Sequence, residues 1–248
     1  MDLVSVIIPY YKKRNFVKET IVSVIDQSYD FLEILIIYDD TNLNDLEFLQ
    51  KISKLDNRIK IINNNKRLGA GLSRNKGIEQ SNGKYIAFID ADDTWAPDKL
   101  KDQISFMKKN NYQISHTSYF IVDEKKKIIG QRKARNLLSV NEVLKSCDIG
   151  LSTVIIEKKV IVKTNTKFPQ LVTKEDFVFW LSLLKINYKF YAFDSNLTNW
   201  TDSKNSLSSN TIQKLFDGFK VYNYYMNFNI IKSFYYLICL GLNYLKKK

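Results

Sequence analysis

Apolar residues gather in four short runs along the first ninety positions, at 3–8, 33–38, 59–62 and 84–89, with stretches of mixed polarity between them. The runs are nearly continuous rather than alternating, the pattern of strands covered on both faces of a parallel sheet. The stretches between them, at 16–26, 43–53 and 70–80, carry apolar residues at helical spacing, as Val17, Ile21, Val24 and Ile25 illustrate. Strand and helix in alternation predict β-α-β units and an α/β fold. In the third helix, Leu72 and Ile78 are placed to face the sheet, and Gly77 permits close approach.

The pattern loosens beyond residue 93. A helix is expected from Trp95-Ala96-Pro97 to about residue 108, with Pro97 in the first turn, where its missing N–H is harmless. Strands are expected at 113–122 and 127–130, joined by the polar turn 123–126, then a short helix at 140–146 and a strand at 152–157. A helix at 175–184 and a strand at 188–193 complete a mixed-sheet second half. From about residue 203 a polar stretch leads into two helices, 211–226 and 230–245. The second is rich in Phe, Tyr, Leu and Ile and ends in Lys246-Lys247-Lys248, too short an apolar run to cross a bilayer. Two readings stand for it: an interfacial helix over an anionic surface, or a helix docked on its own domain or on a second copy.

Composition narrows the classes. A chain of 248 residues with 45% hydrophobic content can bury a sizeable core. The formal charge of +12 admits anionic partners. Its lysines are spread through every segment, however, with no zinc finger, RNA-binding aromatic pair or basic reading helix, so no nucleic acid is expected. Cys147 and Cys239 make neither a disulfide framework nor a metal cluster, and the first nine residues lack the basic start of a secretory signal, which together predict a reducing cytoplasmic location.

The sharpest chemical feature is Asp90-Ala91-Asp92-Asp93, three carboxylates delivered by the fourth apolar run to the end of a strand, where open α/β sheets bind ligands. Such charges repel one another, so a divalent cation with a bound diphosphate is the natural reason to gather them. Asp93 alone has a structural reading, as cap of the helix begun at Trp95. Pro9-Tyr10-Tyr11 and Asp39 close the first two strands; an aromatic there either flanks a nucleobase or merely covers the sheet end. Thr41 is placed to cap the second helix. Arg74, after the Gly69-Ala70-Gly71 turn, can meet a base or phosphate or pair with Asp39. Asp176, flanked by Phe177, Phe179, Trp180 and Leu181, either opens a helix whose dipole favours negative charge or serves as a general base in that rigid apolar setting, while Glu175 orients backbone or acceptor. Trp180 is either core or a platform for a sugar, and His116 either structural or acceptor-side.

Together Val6-Ile7-Ile8-Pro9-Tyr10-Tyr11, Asp39-Asp40, Leu68-Gly69-Ala70-Gly71-Leu72-Ser73-Arg74-Asn75-Lys76-Gly77, Phe88-Ile89-Asp90-Ala91-Asp92-Asp93 and Lys174-Glu175-Asp176 resemble the family 2 glycosyltransferases over about residues 4–200. The resemblance implies an A-type glycosyltransferase fold: a Rossmann-like nucleotide-binding half with a central mixed sheet, plus C-terminal helices. It divides the chain into a domain at 1–202, with a donor half at 1–110 and an acceptor half at 111–202, and an extension at 203–248. It also implies a nucleoside diphosphate sugar donor, a divalent Mn2+ or Mg2+, and inversion at the anomeric carbon. Asp92 would be the direct metal ligand, Asp90 and Ala91 would sit beside the donor, Pro9, Tyr10, Tyr11 and Arg74 would line the nucleoside pocket, and Asp39 would accept the imide hydrogen of uracil. Related chains often carry an Arg/His pair where this one has Trp200-Thr201-Asp202, and Lys204 is the nearby substitute. The chain resembles bacterial enzymes of capsule, teichuronic acid and O-antigen synthesis, which implies a lipid-linked glycan acceptor and a peripheral place at the inner face of the plasma membrane. A nucleotidyltransferase acting on sugar phosphates and a noncatalytic glycan- or membrane-binding protein are the alternatives.

Overall fold

The computed structural model describes residues 1–203 and 210–246. The N-terminal part follows the predicted rhythm: β1 (Val4–Tyr10), α1 (Arg14–Ile25), β2 (Leu32–Tyr38), α2 (Leu43–Ser53), β3 (Ile59–Asn63), α3 (Ala70–Gln80) and β4 (Tyr85–Phe88). These strands lie in the order β3-β2-β1-β4, all parallel. The order reverses direction between β1 and β4, and a crevice opens at such a point beyond the carboxyl ends of the strands.

The continuous apolar runs are explained by burial on both faces. Along β2, Ile34 and Ile36 join one core cluster and Leu35 and Ile37 the other, as side chains alternate across a sheet. Val17, Ile21 and Val24 of α1 fill the first cluster. On the other face α3 lies tight against β1, because a Cβ at Gly77 would stand 2.6 Å from Ile7 Cγ2.

The second half completes a mixed sheet. It contains β5 (Thr94–Trp95), α4 (Lys99–Asn110), β6 (Ile114–Val122), β7 (Ile128–Arg132), α5 (Val140–Val143), a 3-10 turn at Leu151–Thr153, β8 (Ile155–Glu157), α6 (Lys158–Thr164), α7 (Glu175–Lys185) and β9 (Tyr191–Thr201). The sheet continues β4-β8-β6-β9-β5, with β7 paired to β6. Because β8 is antiparallel to both β4 and β6, and β9 is parallel to β6, β9 ends at the same sheet edge as β4. This mixed sheet flanked by helices is an A-type glycosyltransferase architecture, as expected.

Several boundaries differ. Thr94-Trp95 pairs with Asn199 and Thr198 as a strand, so the helix waits until Lys99. Asp93 therefore caps nothing and is buried. Asn42, rather than Thr41, caps α2 by accepting from the Asn44 amide at 3.1 Å. The last predicted strand is displaced and longer, and α6 was not anticipated. After residue 210 come α8 (Thr211–Lys220), a π-helical turn at Val221–Tyr225 and α9 (Ile230–Lys246). Val221, Tyr222 and Met226 plug into the core that holds α7. No described helix is long and apolar enough to cross a membrane.

Candidate active site

The carboxyl ends of β1, β2, β4 and β9 surround a cavity of about 590 Å3, within the range of ligand pockets. Pro9, Tyr10, Tyr11, Asp39, Arg74, Asp90, Ala91, Asp92, Glu175 and Asp176 all line it, so these residues, far apart in sequence, meet in one place.

The wall around Asp39 is held by hydrogen bonds. Asp39 accepts from the amides of Leu68 and Gly69, both at 2.7 Å, and from Asn64 Nδ2 at 2.8 Å. Gly69 turns the chain at φ +87°, a conformation that glycine adopts at little cost. A carboxylate offers about four acceptor positions, so one remains for a ligand. Tyr10 departs from the nucleobase reading: its ring is fully buried and stacked on Tyr38 at 5.6 Å, with its hydroxyl donating to Asp45 Oδ2 at 2.6 Å. Tyr11, beside Tyr10 in the cavity lining, carries the Arg67 guanidinium 4.0 Å from its ring centroid.

The acidic loop divides its labour. Asp93 is structural: its carboxylate accepts from Ser152 Oγ at 2.5 Å and from the Thr201 amide at 2.9 Å. Ser152 Oγ also accepts from the Asp90 amide at 3.1 Å, and Thr201 Oγ1 donates to the Asp92 carbonyl at 2.5 Å. Asp92 faces the cavity and meets Lys13 Nζ at 2.6 Å. Burial raises its pKa, Lys13 opposes the rise and the charge of Asp90 adds to it.

Arg74 does not reach Asp39. Its guanidinium bridges the two halves, with Nη2 2.7 Å from Asp90 Oδ1 and Nη1 2.6 Å from Glu175 Oε1. Burial disfavours its charge, but the two carboxylates more than compensate and hold it protonated. Burial pushes Glu175 up to about 7, with Arg74 opposing and Asp176 adding.

Glu175 and Asp176 open α7 after Lys174 turns at φ +66°, so both sit in a first helical turn where negative charge is favoured. Asp176 Oδ1 accepts from the Phe177 amide at 2.7 Å. Its pKa is raised by burial, against Lys174 and Arg74. Preceding it, Thr173 donates through its amide (2.9 Å) and hydroxyl (3.0 Å) to Asp217 Oδ2, so α8 braces this wall.

Trp180 is core: fully buried, with its ring edge-on to Phe168, Phe179 and Phe190, it is no sugar platform. His116 is likewise buried, its Nε2 2.9 Å from the Arg135 carbonyl oxygen. Lys204 lies outside the described residues. Sequence reasoning missed Lys13, Arg67 and Lys214 as lining residues, and Ser152, Thr201 and Asp217 as braces. Asp217 carried one legible signal, as the sole acidic residue after position 210.

Among the described residues, no three His, Cys, Asp or Glu groups gather into a metal cage. Magnesium bound with a diphosphate needs only one or two protein carboxylates. Asp92, with its pKa raised by burial and the neighbouring Asp90, retains an appetite for positive charge, so the residues fit such an ion.

Comparison with known proteins agrees with this geometry. TuaG of Bacillus subtilis, a glycosyltransferase assigned to teichuronic acid biosynthesis, is 31% identical over 99% of this chain and 97% of its own length. WfgD of Escherichia coli, named as a UDP-Glc:alpha-D-GlcNAc-diphosphoundecaprenol beta-1,3-glucosyltransferase, is 34% identical over 95% of this chain and 91% of its own. Two solved structures share the fold. S. aureus TarS 1-349 in complex with UDP-GlcNAc has a TM-score of 0.75 at 19% identity, covering 96% of this chain and 70% of that one. The mannosyltransferase PcManGT from Pyrobaculum calidifontis, in complex with GDP-Man and Mn2+, has a TM-score of 0.70 at 13% identity, covering 94% and 69%. The family model described as Glycosyl transferase family 2 matches residues 5–162, which span every strand from β1 to β8 and the acidic loop; the chain belongs to that family and is a glycosyltransferase.

Proposed function

We propose that this glycosyltransferase moves a sugar from a UDP-sugar to a hydroxyl of a lipid-linked glycan, with inversion and with Mg2+ or Mn2+. The carrying observation is that Asp39, Asp90 and Asp92 share one cavity with Glu175 and Asp176. The names of WfgD and the related WfaP, 34% identical over 87% of this chain, support the UDP donor and the diphosphoundecaprenol-linked acceptor. Those names and TuaG support a place in building cell-envelope polymers. Membership in an enzyme family removes support for a noncatalytic or nucleotidyl-transferring protein.

Each residue then has a task. Asp39 has one acceptor position free for the imide N–H of uracil, and Tyr11 with Arg67 forms the flat wall beside the base. A bound Mg2+ or Mn2+ would supply positive charge to the diphosphate, held by Asp92 with Asp90 beside it. Lys13, Arg67 and Lys214 line the cavity as cations for the departing diphosphate, in place of the Arg/His pair that positions 200–202 lack. Asp176 takes the proton of the acceptor hydroxyl as its oxygen bonds to the anomeric carbon and the bond to the diphosphate breaks. That single displacement inverts the centre. Arg74 fixes Asp90 and Glu175 and so sets donor and acceptor walls at one spacing.

The test is calorimetric titration with UDP, GDP, dTDP and CDP, in Mn2+ and in EDTA, of wild type and Asp92→Ala. Metal-dependent binding of UDP, lost in the variant, is expected. Folded protein that binds none of the four in Mn2+ would overturn the reading.

A further inference from the structure

The surface made by α8 and α9 remains unexplained by sugar transfer. Ile212, Leu215 and Phe216 stand exposed on α8 at positions i, i+3 and i+4, which is one helical face. Ile230, Phe234 and Ile238 stand exposed on α9 at steps of four, again one face. The two stripes are continuous. Phe219 of α8 meets Phe234 at 4.9 Å, and the helices approach so closely that a Cβ at Gly218 would lie 2.8 Å from Leu237 Cδ1. The inner side of α9 is already engaged: Ser233 is buried, and Tyr236, Leu237 and Leu240 pack on the core. The helix is thus apolar on both sides, and Ile231, at 83% exposure, spends its side chain on water. An apolar surface of this extent marks an interaction site.

Charge identifies the occupant. Residues 210–248 hold Lys214, Lys220, Lys232, Lys246, Lys247 and Lys248 against one acidic residue, Asp217, and that carboxylate is buried on Thr173. Lys220 Nζ lies 4.5 Å from the Phe216 ring centroid and Lys232 Nζ 4.0 Å from that of Phe228, so cations border the apolar stripe. A second copy would bring like charges together. A bilayer rich in anionic headgroups would meet the lysines while its acyl chains covered the stripe. The 17-residue α9 is about 25 Å long at 1.5 Å per residue, short of the roughly 30 Å hydrocarbon core, so it lies along the surface.

We infer that α8 and α9 form a docking face for an anionic lipid bilayer, and that the Thr173–Asp217 link fixes the acceptor wall relative to that bilayer. The second clause rests on the reading of residues 172–176 as the acceptor wall; the first is independent of it. Lys214 and Asp217 lie across α8 from the stripe, so docking through α8 sets the cavity edged by Lys214 and Thr173 one helix diameter, roughly 10 Å, from the bilayer.

The experiment is co-sedimentation of the full chain with vesicles of phosphatidylglycerol and phosphatidylcholine in equal parts, and of phosphatidylcholine alone, with UDP titration as a separate control of the donor site. Wild type is expected to pellet with the anionic vesicles and at least tenfold less with the neutral ones. Ile231→Glu/Ile238→Glu, changed only at exposed positions, should lose at least tenfold in vesicle affinity while keeping its thermal midpoint and UDP binding. Lys220→Glu/Lys232→Glu should lose the preference for anionic lipid. Wild type left in the supernatant with anionic vesicles, or an Ile double variant that pellets undiminished, would overturn the inference. So would a dimer in sedimentation velocity that the Ile variant abolishes, since the face would then belong to a second copy. Failure of UDP binding with vesicle binding intact would instead count against the donor assignment.

Discussion

The cavity has two kinds of carboxylate. Asp39 and Asp93 are tied down by the protein itself, through backbone amides, Asn64 and Ser152. Asp92 and Asp176 face the cavity, met by Lys13 and by a single amide; burial raises their pKa, as it does that of Asp93. The first kind fastens loops, though Asp39 keeps one acceptor position on the cavity; the second faces the cavity with few partners, the setting in which an acid can bind a cation or accept a proton.

Substitutions should break this contrast in opposite directions. Asp176→Asn is expected to lower kcat by about 10^2–10^4-fold, the usual contribution of a general base, with UDP affinity unchanged in calorimetry. Its thermal stability at neutral pH should not fall. The folded pKa of Asp176 is raised, so the unfolded chain ionises first and stability drops as pH climbs from the unfolded value toward the folded one; the neutral amide escapes that penalty.

Arg74→Met should cost about 3–5 kcal/mol in denaturant unfolding, the usual result of stripping one partner from a buried ionic cluster. Arg74→Lys should recover only part, because one ammonium cannot span Asp90 and Glu175 as the fork does. Asp39→Asn is expected to lose about 1–3 kcal/mol, the cost of a buried polar group left unpaired, since its amide end would face donors. Asp92→Asn should instead keep or gain stability while losing metal-dependent nucleotide binding. An Asp92→Asn protein as destabilised as Asp39→Asn would erase the contrast.

The acid limb of kcat against pH should lie above the ordinary carboxylate range, because the raised pKa of Asp176 keeps the base protonated further up the scale. Activity should rise with pH through that limb, retained in Asp176→Glu and absent from the residual rate of Asp176→Asn. The smallest effect concerns Lys99, fully buried beside the Trp95 ring with Gln103 Oε1 at 2.9 Å, and lowered by burial to about 7. Its folded pKa lies below the unfolded one, so its penalty is complete below about pH 7 and lifts as pH rises toward 10.5. The thermal midpoint of Lys99→Met should exceed that of wild type at pH 6 and approach it by pH 10.

The donor half was legible because burial on both sheet faces imposes continuous apolar runs, and strand ends then announce which acids converge. The acids themselves were less legible. Nothing in Asp90-Ala91-Asp92-Asp93 tells which member turns inward; that depends on Ser152 and Thr201, distant in sequence. Tyr10 ends β1 and Tyr11 follows it; both border the cavity, but the first buries its ring against Tyr38 and bonds Asp45, while the second stands beside Arg67. Trp180 follows Asp176 by one helical turn, yet α7 enters the core so steeply that its ring meets only other side chains of the interior. Lys13 read as one member of a basic run because its partner, Asp92, is 79 residues away (92 − 13).

The Asp93 anchor also sets an order in time. A chain leaving the ribosome completes its N-terminal part first, and here residues 4–93 carry β1 to β4 and the acidic loop. The amide that completes the bonding of Asp93 belongs to Thr201, at the end of β9. Until that strand is made, the innermost acid of the loop lacks one of its two partners, and Asp92 lacks the Thr201 hydroxyl on its carbonyl. A growing or truncated chain that lacks β9 therefore holds the acidic loop without its last two bonds, and the loop takes its final shape only when both halves of the sheet are made.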